Sequence, residues 1–459
     1  MKTRRCRLAA LVALSLLAAA ERHPDAEALP GYTYSLLRDT AARLAGGLEV
    51  AQGERVAVVL DNRVETALLY WAAQWAGAVF VPLSWRLSEA ELDYCIRDSG
   101  ASLVLRDTSA LPHGDPHPGA LELDEREPSL MLYTSGTTGK PKGVPRSHRA
   151  DRAGGLSQAL QHGYLPGDRT LGVMPLYHTM GIHSLVAMHC VGGCFVSLPR
   201  WDAGEALALI ERERITSLYL APTLFHDLVH HPCVARHDLS SVRALGYAGA
   251  AMTSALVERC AAVFDPEVFV NHYGSTEIYT FSIGADQRRK PGCAGRPALN
   301  ARLELRDGEI CCHLGSDEAF AGYWNRPDAD AKAIRDGWYH TGDMGRLDAD
   351  GDLWVEGRVD DMIISGGENV HPLEIEDVLA RHPGVVEVAV IGAPDDRLGT
   401  RVVAVVVGEA TAEELDAHCL ASELARFKRP REYRFAETLP KSPSGKILRR
   451  MLRDEKVSA

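Results

Sequence analysis

The most informative segment of this 459-residue chain reads Tyr133-Thr-Ser-Gly-Thr-Thr-Gly-Lys-Pro-Lys-Gly143. Its glycines allow tight turns and a close approach of the backbone to a ligand, and hydroxyl side chains stand beside the exposed N–H groups. This is the chemistry of a phosphate-binding loop, although it is not the Walker pattern, because a proline follows Gly139-Lys140. The residues expected to hold phosphate are Thr134, Ser135, Gly136, Thr137, Thr138, Gly139, Lys140 and Lys142.

The composition limits the kinds of partner that this protein binds. Lys and Arg number 50 against 62 Asp and Glu, a net charge of −12, which argues against nucleic acid or an anionic membrane as a partner. No run reaches the ~18 apolar residues that a membrane span requires. The ten cysteines show no repeated C-x-x-C spacing. We therefore expect reduced thiols in a cytoplasmic protein, without a disulfide framework or a cysteine metal site.

Short apolar runs alternate with helical patterns through the first 300 residues. Val56–Leu60 and Ala78–Val81 are typical of buried strands, and the stretch Val64–Trp75 between them has a helical pattern. Ser217–Leu220, followed at once by a helix start at Pro222, repeats this order. Such alternation predicts an α/β fold with largely parallel sheets.

The pattern changes twice towards the carboxyl end. From Leu303 the sequence predicts short strands and turns, with a hairpin at Asp350-Gly351. After Gly357 it predicts a smaller α+β unit. We therefore expect a large N-terminal lobe of α/β layers with a β-rich subdomain over residues 1–356, and a small C-terminal lobe over residues 357–459.

Further motifs follow the first one along the chain. In order they are Met174–Gly181 (MPLYHTMG), Asn271–Glu277 (NHYGSTE), Tyr339–Asp343 (YHTGD), Gly357–Pro372 (GRVDDMIISGGENVHP) and Pro440–Lys446 (PKSPSGK). In content and order the set resembles the adenylate-forming superfamily of acyl-CoA and aryl-CoA ligases, luciferases and peptide-synthetase adenylation domains. The resemblance spans residues 20 to 450, and within the superfamily it is closest to the chlorobenzoate-type aryl-CoA ligases.

The resemblance implies an ATP-dependent reaction in two steps. A carboxylate is a poor acyl donor, so it first attacks the α-phosphorus of ATP to form an acyl-adenylate, and a site that brings two anions together must supply cations. By resemblance, Lys446 is the catalytic lysine, Glu277 is a catalytic residue that holds Mg²⁺, and His178 is a catalytic gate residue. Tyr273, Gly274, Ser275 and Thr276 are expected to bind adenine and phosphate, and Asp343 and Arg358 to bind the ribose.

The second step is expected to use the small lobe. By resemblance this lobe is mobile and rotates about a hinge at Asp360, withdrawing Lys446 and bringing Ser365, Gly366 and Gly367 to the acyl-adenylate. CoA is the expected acceptor, with Phe427 stacking on its nucleotide and Lys428 and Arg429 neutralising its phosphates. One residue departs from the family pattern: in the turn Asp395–Gly399 this chain has Leu398 where the chlorobenzoate-type ligase has a tryptophan.

The acyl pocket is the part on which the sequence is least specific. The wall residues implied by the resemblance are His178, Thr179, Met180, Tyr219, Ala248, His272, Gly274, Tyr279 and Thr280. The stretch His178-Thr179-Met180 lacks the aspartate with which amino-acid-activating relatives pair the substrate ammonium group. Hydrogen-bonding groups on His272, Tyr279 and Thr280 favour a small aromatic carboxylic acid over a fatty acid.

Other functions stay open at this stage. The acceptor is either CoA, a carrier-protein pantetheine or an amine, and the activated oxyanion is either a carboxylate or, as in a few relatives, nitrite for aryl-amine diazotisation. A nucleotide-binding regulator without catalysis is disfavoured, because Lys446, Glu277 and the Thr/Gly loop are all retained. The sequence is compatible with a monomer or a homodimer.

The first twenty residues also allow two interpretations. Basic residues from Lys2 to Arg7 precede an apolar run from Leu8 to Ala20, as in a secretory signal peptide. Leucines at every third position of that run equally fit one face of a helix closed by Arg22-His23-Pro24. We favour the helix, since the remaining motifs belong to a protein that acts on intracellular nucleotides.

Overall fold

The computed structural model describes residues 11–109, 111–120, 122–134, 140–442 and 445–454. The helices in these ranges are α1 (Ala13–Arg22), α2 (Tyr34–Leu48), α3 (Val64–Ala76), α4 (Glu89–Ser99), α5 (His148–Gln161), α6 (Thr179–Cys190), α7 (Ala203–Arg212), α8 (Pro222–Val229), α9 (Ser254–Phe264), α10 (Pro327–Ala333), α11 (Pro372–Ala380), α12 (Ala412–Ala421) and α13 (Arg449–Asp454). Short 3₁₀ turns lie at Val234–Arg236 and Val359–Asp361.

The strands were assigned over the same described ranges. They are β1 (Glu27–Leu29), β2 (Tyr32–Thr33), β3 (Arg55–Val58), β4 (Val79–Pro82), β5 (Leu103–Leu105), β6 (Pro128–Thr134), β7 (Lys142–Ser147), β8 (Arg169–Gly172), β9 (Cys194–Ser197), β10 (Ser217–Leu220), β11 (Ala244–Tyr247), β12 (Val268–Tyr273), β13 (Ser282–Gly284), β14 (Arg296–Pro297), β15 (Leu303–Arg306), β16 (Glu309–His313), β17 (Ile334–Arg335), β18 (Trp338–Leu347), β19 (Leu353–Arg358), β20 (Ile363–Ser365), β21 (Glu368–Val370), β22 (Val385–Asp395), β23 (Gly399–Gly408) and β24 (Glu432–Phe435).

Local sequence signals account for many of these boundaries. Ser88 caps α4 in a capping box with Glu91, and Thr411 caps α12 in the same way with Glu414. The hairpin predicted at Asp350-Gly351 joins β18 to β19. The helix predicted in the first twenty residues is present as α1, and the start predicted for it at Leu8 lies outside the described residues.

Two sheets form the framework of the N-terminal lobe. One has the strand order β5-β3-β4-β6-β7 and the other β14-β13-β12-β11-β10-β8-β9. Pairing is parallel in the middle of both sheets and antiparallel at the β6–β7 and β12–β13–β14 edges. The prediction of an α/β fold with largely parallel sheets is therefore confirmed. Because β8, β10, β11 and β12 run parallel, the loops that follow them lie at the same edge of the sheet.

A third sheet and a small lobe complete the chain. The third sheet has the order β15-β16-β18-β17, with β19 paired to β18, and forms the expected β-rich subdomain. The small lobe contains the hairpin β20–β21 and the sheet β22-β23-β24, which packs with α11 around a separate apolar core. Within the described residues, the helices are too short or too polar to cross a membrane.

Buried neutral histidines make the stability of the fold depend on pH. His148, His189 and His272 are at most 2% exposed, and burial lowers the pKa of the first two to about 4 and of His272 to about 3. In the unfolded chain a histidine titrates near pH 6.5. Between these values the unfolded state binds more protons than the folded state, so stability is full above pH ~6.5 and is lost as the pH falls.

We expect the thermal unfolding midpoint to fall as the pH is lowered from 7.5 to 5. Each such histidine contributes a slope of about 1.4 kcal/mol per pH unit over the lower part of that window. Differential scanning fluorimetry at constant ionic strength measures the midpoint. An unchanged midpoint from pH 7.5 to 5 contradicts the assignment of these histidines as neutral.

Candidate active site

The predicted phosphate loop closes the hairpin formed by β6 and β7. The antiparallel register pairs Thr134 with Lys142, so the two ends of the loop lie side by side. Lys140 Nζ lies 5.5 Å from the centre of the Tyr94 ring, and Lys142 Nζ lies 4.1 Å from that of Tyr323. Both lysines are thus held over aromatic rings by cation–π contacts. The loop residues Ser135, Gly136, Thr137, Thr138 and Gly139 lie outside the described residues.

Glu277 is almost fully buried in the turn after β12. The hydroxyl of Tyr323 donates to Glu277 Oε1 at 2.6 Å, and the backbone N–H of Glu277 donates to Ser275 Oγ at 3.2 Å. Burial lowers the pKa of the Lys142 ammonium, and the Glu277 carboxylate opposes this shift. The loop lysine and the predicted metal-binding carboxylate therefore share one site.

A fully buried ion pair fixes the same turn from behind. Arg146 Nε and Asp151 Oδ1 are 2.8 Å apart, and both side chains are completely excluded from solvent. A second guanidinium nitrogen of Arg146 donates to the carbonyl oxygen of Thr276 at 2.9 Å. Burial alone would raise the pKa of Asp151, but His183 and Arg146 outweigh it and lower that pKa to about 2. The pair ties β7 and α5 to the turn that carries Glu277.

The predicted ribose-binding residues meet across two strands. Asp343 on β18 is the register partner of Arg358 on β19. Arg358 Nη1 donates to Asp343 Oδ1 at 3.0 Å and to the Thr341 carbonyl at 3.0 Å. The Tyr273 hydroxyl donates to Asp343 Oδ2 at 2.6 Å. Burial and the Asp343 charge hold the pKa of Tyr273 well above its usual range, so it stays a donor.

Lys446 enters this site from the small lobe. A Cβ atom added at Gly445 would collide with Thr223 at the start of α8, and Gly445 has φ +83°. The absence of a side chain at Gly445 therefore allows the lysine loop to approach the N-terminal lobe. Sequence analysis identified Lys446 and left this glycine unassigned.

Lys446 is coupled electrostatically to charged groups of the N-terminal lobe. The residue as a whole is exposed, and burial of its ammonium group lowers its pKa. The carboxylates of Asp343 and Glu277 oppose that shift, and Arg358 adds to it. Burial and the Lys446 charge lower the pKa of His178 to about 4. Electrostatic coupling therefore links Lys446 of the small lobe to residues of all three predicted sites of the large lobe.

The predicted acyl-pocket residues lie together at the carboxyl-terminal edge of the parallel strands. His178 is the N-cap of α6, where its Nδ1 accepts a hydrogen bond from Met180 N at 3.3 Å. Because Nδ1 accepts, the imidazole of His178 is neutral. The other wall residues are contributed by the start of α6 (Thr179, Met180), by β10 (Tyr219), by the residue after β11 (Ala248), and by β12 and the turn after it (His272, Gly274, Tyr279, Thr280).

A buried network of polar side chains closes one end of this group. The Tyr279 hydroxyl donates to Gln158 Oε1 at 2.6 Å and lies 3.3 Å from the Tyr219 hydroxyl. His272 Nε2 lies 3.1 Å from the Tyr279 carbonyl, which only accepts, so Nε2 carries the proton. His272 Nδ1 therefore accepts from His162 Nε2 at 3.0 Å. These five side chains are at most 3% exposed.

The buried Thr280 Oγ1 beside this network has no hydrogen-bond partner among the described residues. His183 Nε2, close by, lies 3.4 Å from Asp151 Oδ1. The ring of His183 stacks on that of Tyr279, with centroids 3.8 Å apart. Unsatisfied buried polar atoms are rare in native proteins, and a bound ligand is one means of satisfying them.

The predicted CoA-binding glycines form a hairpin tip in the small lobe. Gly366 and Gly367, between β20 and β21, have φ of +60° and +87°. The tip packs against Leu398, since Gly366 N donates to the Leu398 carbonyl at 2.9 Å. Ser365 is 8% exposed. The predicted hinge residue Asp360 lies in the exposed 3₁₀ turn just before this hairpin.

The other predicted CoA residues are already engaged in contacts of their own. Phe427 has 42% of its surface exposed. Lys428 Nζ is 2.6 Å from Glu374 and Arg429 Nε is 3.0 Å from Asp416. The two cations are therefore neutralised by ion pairs, with which a nucleotide phosphate has to compete.

Several residues of the site had no signal in the sequence. Tyr323 belongs to no recognised motif, and Arg146 and Asp151 follow the phosphate loop at positions to which no role was assigned. Gln158 and His162 lie on and just after α5, which reaches the pocket only through tertiary packing. Only the three-dimensional arrangement identifies them.

Comparison with known proteins identifies the family of this chain. A family model described as AMP-binding enzyme matches residues 16–324, and one described as AMP-binding enzyme C-terminal domain matches residues 374–446. The long-chain-fatty-acid–CoA ligase FadD13 of Mycobacterium tuberculosis is 35% identical over 92% of this chain and 93% of its own. The 4-chlorobenzoate–CoA ligase of an Arthrobacter species is 33% identical over 95% and 93%.

A solved structure extends the agreement to three dimensions. The crystal structure of ATP-bound MatB from Rhodopseudomonas palustris matches with a TM-score of 0.88 and 27% identity, covering 97% of this chain and 98% of that one. The resemblance inferred from the motifs is thereby confirmed. The chain belongs to the AMP-binding enzymes, the adenylate-forming superfamily.

Proposed function

We propose that this enzyme activates a small aromatic carboxylic acid with ATP and transfers the acyl group to CoA. In the first step a carboxylate oxygen of the acid attacks the α-phosphorus of ATP. An acyl–oxygen–phosphorus bond forms, and the bond to the departing pyrophosphate breaks. In the second step the CoA sulfur, having lost its proton, attacks the acyl carbon, and AMP leaves as the thioester forms.

The observation that carries this proposal is the close approach of the lysine loop to the large lobe, where Gly445 lies against Thr223. The Asp343 and Glu277 carboxylates of that lobe favour the charged form of Lys446, and the Lys446 charge lowers the pKa of His178. The acid and the α-phosphate are both anions, so a cation between the predicted ribose, metal and acyl sites reduces their repulsion. Neutral His178 adds no competing positive charge beside the acid.

ATP in this reaction requires a divalent cation, and Glu277 is suited to hold Mg²⁺. Tyr323 donates to Oε1 of its carboxylate, and this carboxylate favours the charged form of the Lys142 ammonium group. A single carboxylate together with phosphate oxygens is a usual Mg²⁺ environment. When bound, Mg²⁺ would neutralise phosphate charge.

The closed, polar end of the pocket supports a compact acid. A long alkyl chain needs an extended apolar channel, whereas Tyr219, Tyr279 and His272 are in mutual contact at the base of the group. The free Thr280 hydroxyl provides a partner for a ring substituent. The two relatives compared above are named for different substrates: FadD13 for a long-chain fatty acid, and the Arthrobacter enzyme for 4-chlorobenzoate. The polar network is therefore the evidence that favours an aromatic acid.

Lys446→Ala is expected to lower the rate of acyl-adenylate formation by about 10²–10³-fold, the effect of removing one group that stabilises transition-state charge. Thioester formation from supplied acyl-adenylate and CoA is expected to keep most of its rate, since the lysine is withdrawn in that step. Acid-dependent pyrophosphate exchange and single-turnover thioester formation measure the two steps. Lys332→Ala, which changes an exposed lysine on α10, is the control. An equal loss in both steps contradicts the proposal.

Substrate class is tested by pyrophosphate release with substituted benzoic, cinnamic and straight-chain fatty acids, each with and without CoA. We expect kcat/KM at least tenfold higher for the best aromatic acid than for dodecanoic acid. We also expect a thioester product only when CoA is present. If only the fatty acids give pyrophosphate release, the aromatic assignment is contradicted. If pyrophosphate is released in the presence of CoA but no thioester forms, CoA as the acceptor is contradicted.

A further inference from the structure

An ion pair with a buried glutamate lies three residues beyond the catalytic-lysine candidate. Arg449 is the first residue of α13, and its Nη2 atom is 2.8 Å from Glu376 Oε1 and 2.7 Å from Glu376 Oε2. Glu376 lies on α11 and is 5% exposed. Its Oε1 also accepts from Val390 N on β22 at 2.7 Å. The guanidinium of Arg449 is therefore fixed to a carboxylate that is itself held by the core of the small lobe.

Hydrogen bonds join the residues that flank Lys446 on both sides. Ser442 N donates to the Lys446 carbonyl at 2.7 Å, and Lys446 N donates to Ser442 Oγ at 3.0 Å. Leu448 N donates to the Pro440 carbonyl at 2.8 Å. The described ends of the lysine loop are thus joined to each other, so the position of Lys446 depends on how these ends are attached to the small lobe. Arg449 is the attachment at the carboxyl-terminal end.

A second acidic residue joins the same helix to the predicted hinge. Arg453 Nη2 lies 2.7 Å from Asp361 Oδ1, and Arg449 Nη1 lies 4.0 Å from Asp361 Oδ2. Asp361 immediately follows the predicted hinge residue. Helix α13, which follows the lysine loop, is thus ion-paired both to the core of the small lobe and to the end of the predicted hinge turn.

We propose that Glu376 is a positioning residue of the adenylation step, which acts by holding Arg449 so that Lys446 reaches the carboxylates of the large lobe. The inference rests on the proposed function. Glu376 touches neither substrate nor reacting atoms. A misplacement of about 1 Å at a reacting group is sufficient to cost ~100-fold in rate. In the second step Lys446 is withdrawn, so the Glu376–Arg449 pair has no role in its chemistry.

The test separates the two steps in Glu376→Gln, which keeps the side-chain size and removes the charge. We expect adenylate formation to fall about 100-fold in kcat, with KM for ATP within about threefold of wild type. Thioester formation from supplied acyl-adenylate is expected to stay within about threefold. The control is Glu432→Gln, which removes another ion-paired glutamate of the small lobe, bonded to Arg401 and Arg434, and we expect it to alter neither step.

A double variant distinguishes positioning from general stabilisation. If Glu376 acts through Lys446, then Glu376→Gln combined with Lys446→Ala is no slower in adenylation than Lys446→Ala alone. Additive losses, or equal losses in both steps, overturn the inference. If Glu376→Gln does not fold, Arg449→Lys decides, since it retains the positive charge and loses the two-point contact. Loss of adenylation alone in that variant supports the inference, whereas failure of both variants to fold overturns it.

The reference measurement on wild type keeps the two hypotheses apart. Absence of acid-dependent pyrophosphate exchange in the wild-type enzyme contradicts the proposed function, and the positioning role falls with it. Normal exchange in wild type together with normal exchange in folded Glu376→Gln overturns the positioning role alone.

Discussion

The proposed active site depends on the electrostatic coupling between one cation of the small lobe and the carboxylates of the large lobe. Lys446 contributes that cation, and Asp343 and Glu277 oppose the lowering of its pKa by burial. The loop reaches this position because Gly445 can lie against Thr223. A second contact between the lobes supports it, since Ser254 at the start of α9 donates through both N and Oγ to Asp377 on α11. This arrangement of the lobes is the one that the proposed adenylation step requires.

Buried charge connects the elements of each lobe to this cation. In the large lobe, Arg146 and Asp151 hold the turn that ends at Glu277. In the small lobe, Glu376 and Arg449 hold the loop that carries Lys446. Buried ion pairs contribute little net stability, but losing one partner is costly, so they specify a single arrangement more than they strengthen it. The turn that carries Glu277 and the loop that carries Lys446 are thus each attached to an ion pair within their own lobe.

Short-range signals in the sequence were sufficient to predict much of the fold and the family. The phosphate-loop segment and the hairpin at Asp350-Gly351 are local patterns, and the ordered motifs identified the family. Asp343 and Arg358 lie 15 residues apart on one hairpin, where strand register brings them together. The predicted roles of the individual site residues stay predictions, as does the domain boundary at residue 357.

The long-range partners were beyond sequence analysis for a physical reason. Glu376 and Arg449 are separated by 73 residues, and the motif patterns that identified Lys446 did not point to the pairing. The pocket network joins α5, β10 and β12, so Gln158 became a candidate only once helix and sheet were packed together. The ion pairs of Lys428 and Arg429 likewise depend on the folded small lobe.

A covalent lock between the lobes tests the central claim most directly. Ser254 Oγ and Asp377 Oδ1 are 2.6 Å apart, so cysteines in the double variant Ser254→Cys, Asp377→Cys lie within reach of a short bis-methanethiosulfonate cross-linker. The cross-linked enzyme is compared with its own reduced form and with the cross-linker-treated wild type. The account predicts that the cross-linked enzyme releases pyrophosphate and accumulates acyl-adenylate, while thioester appears only after reduction. Undiminished thioester formation by the fully cross-linked enzyme, or loss of adenylation on cross-linking, contradicts it.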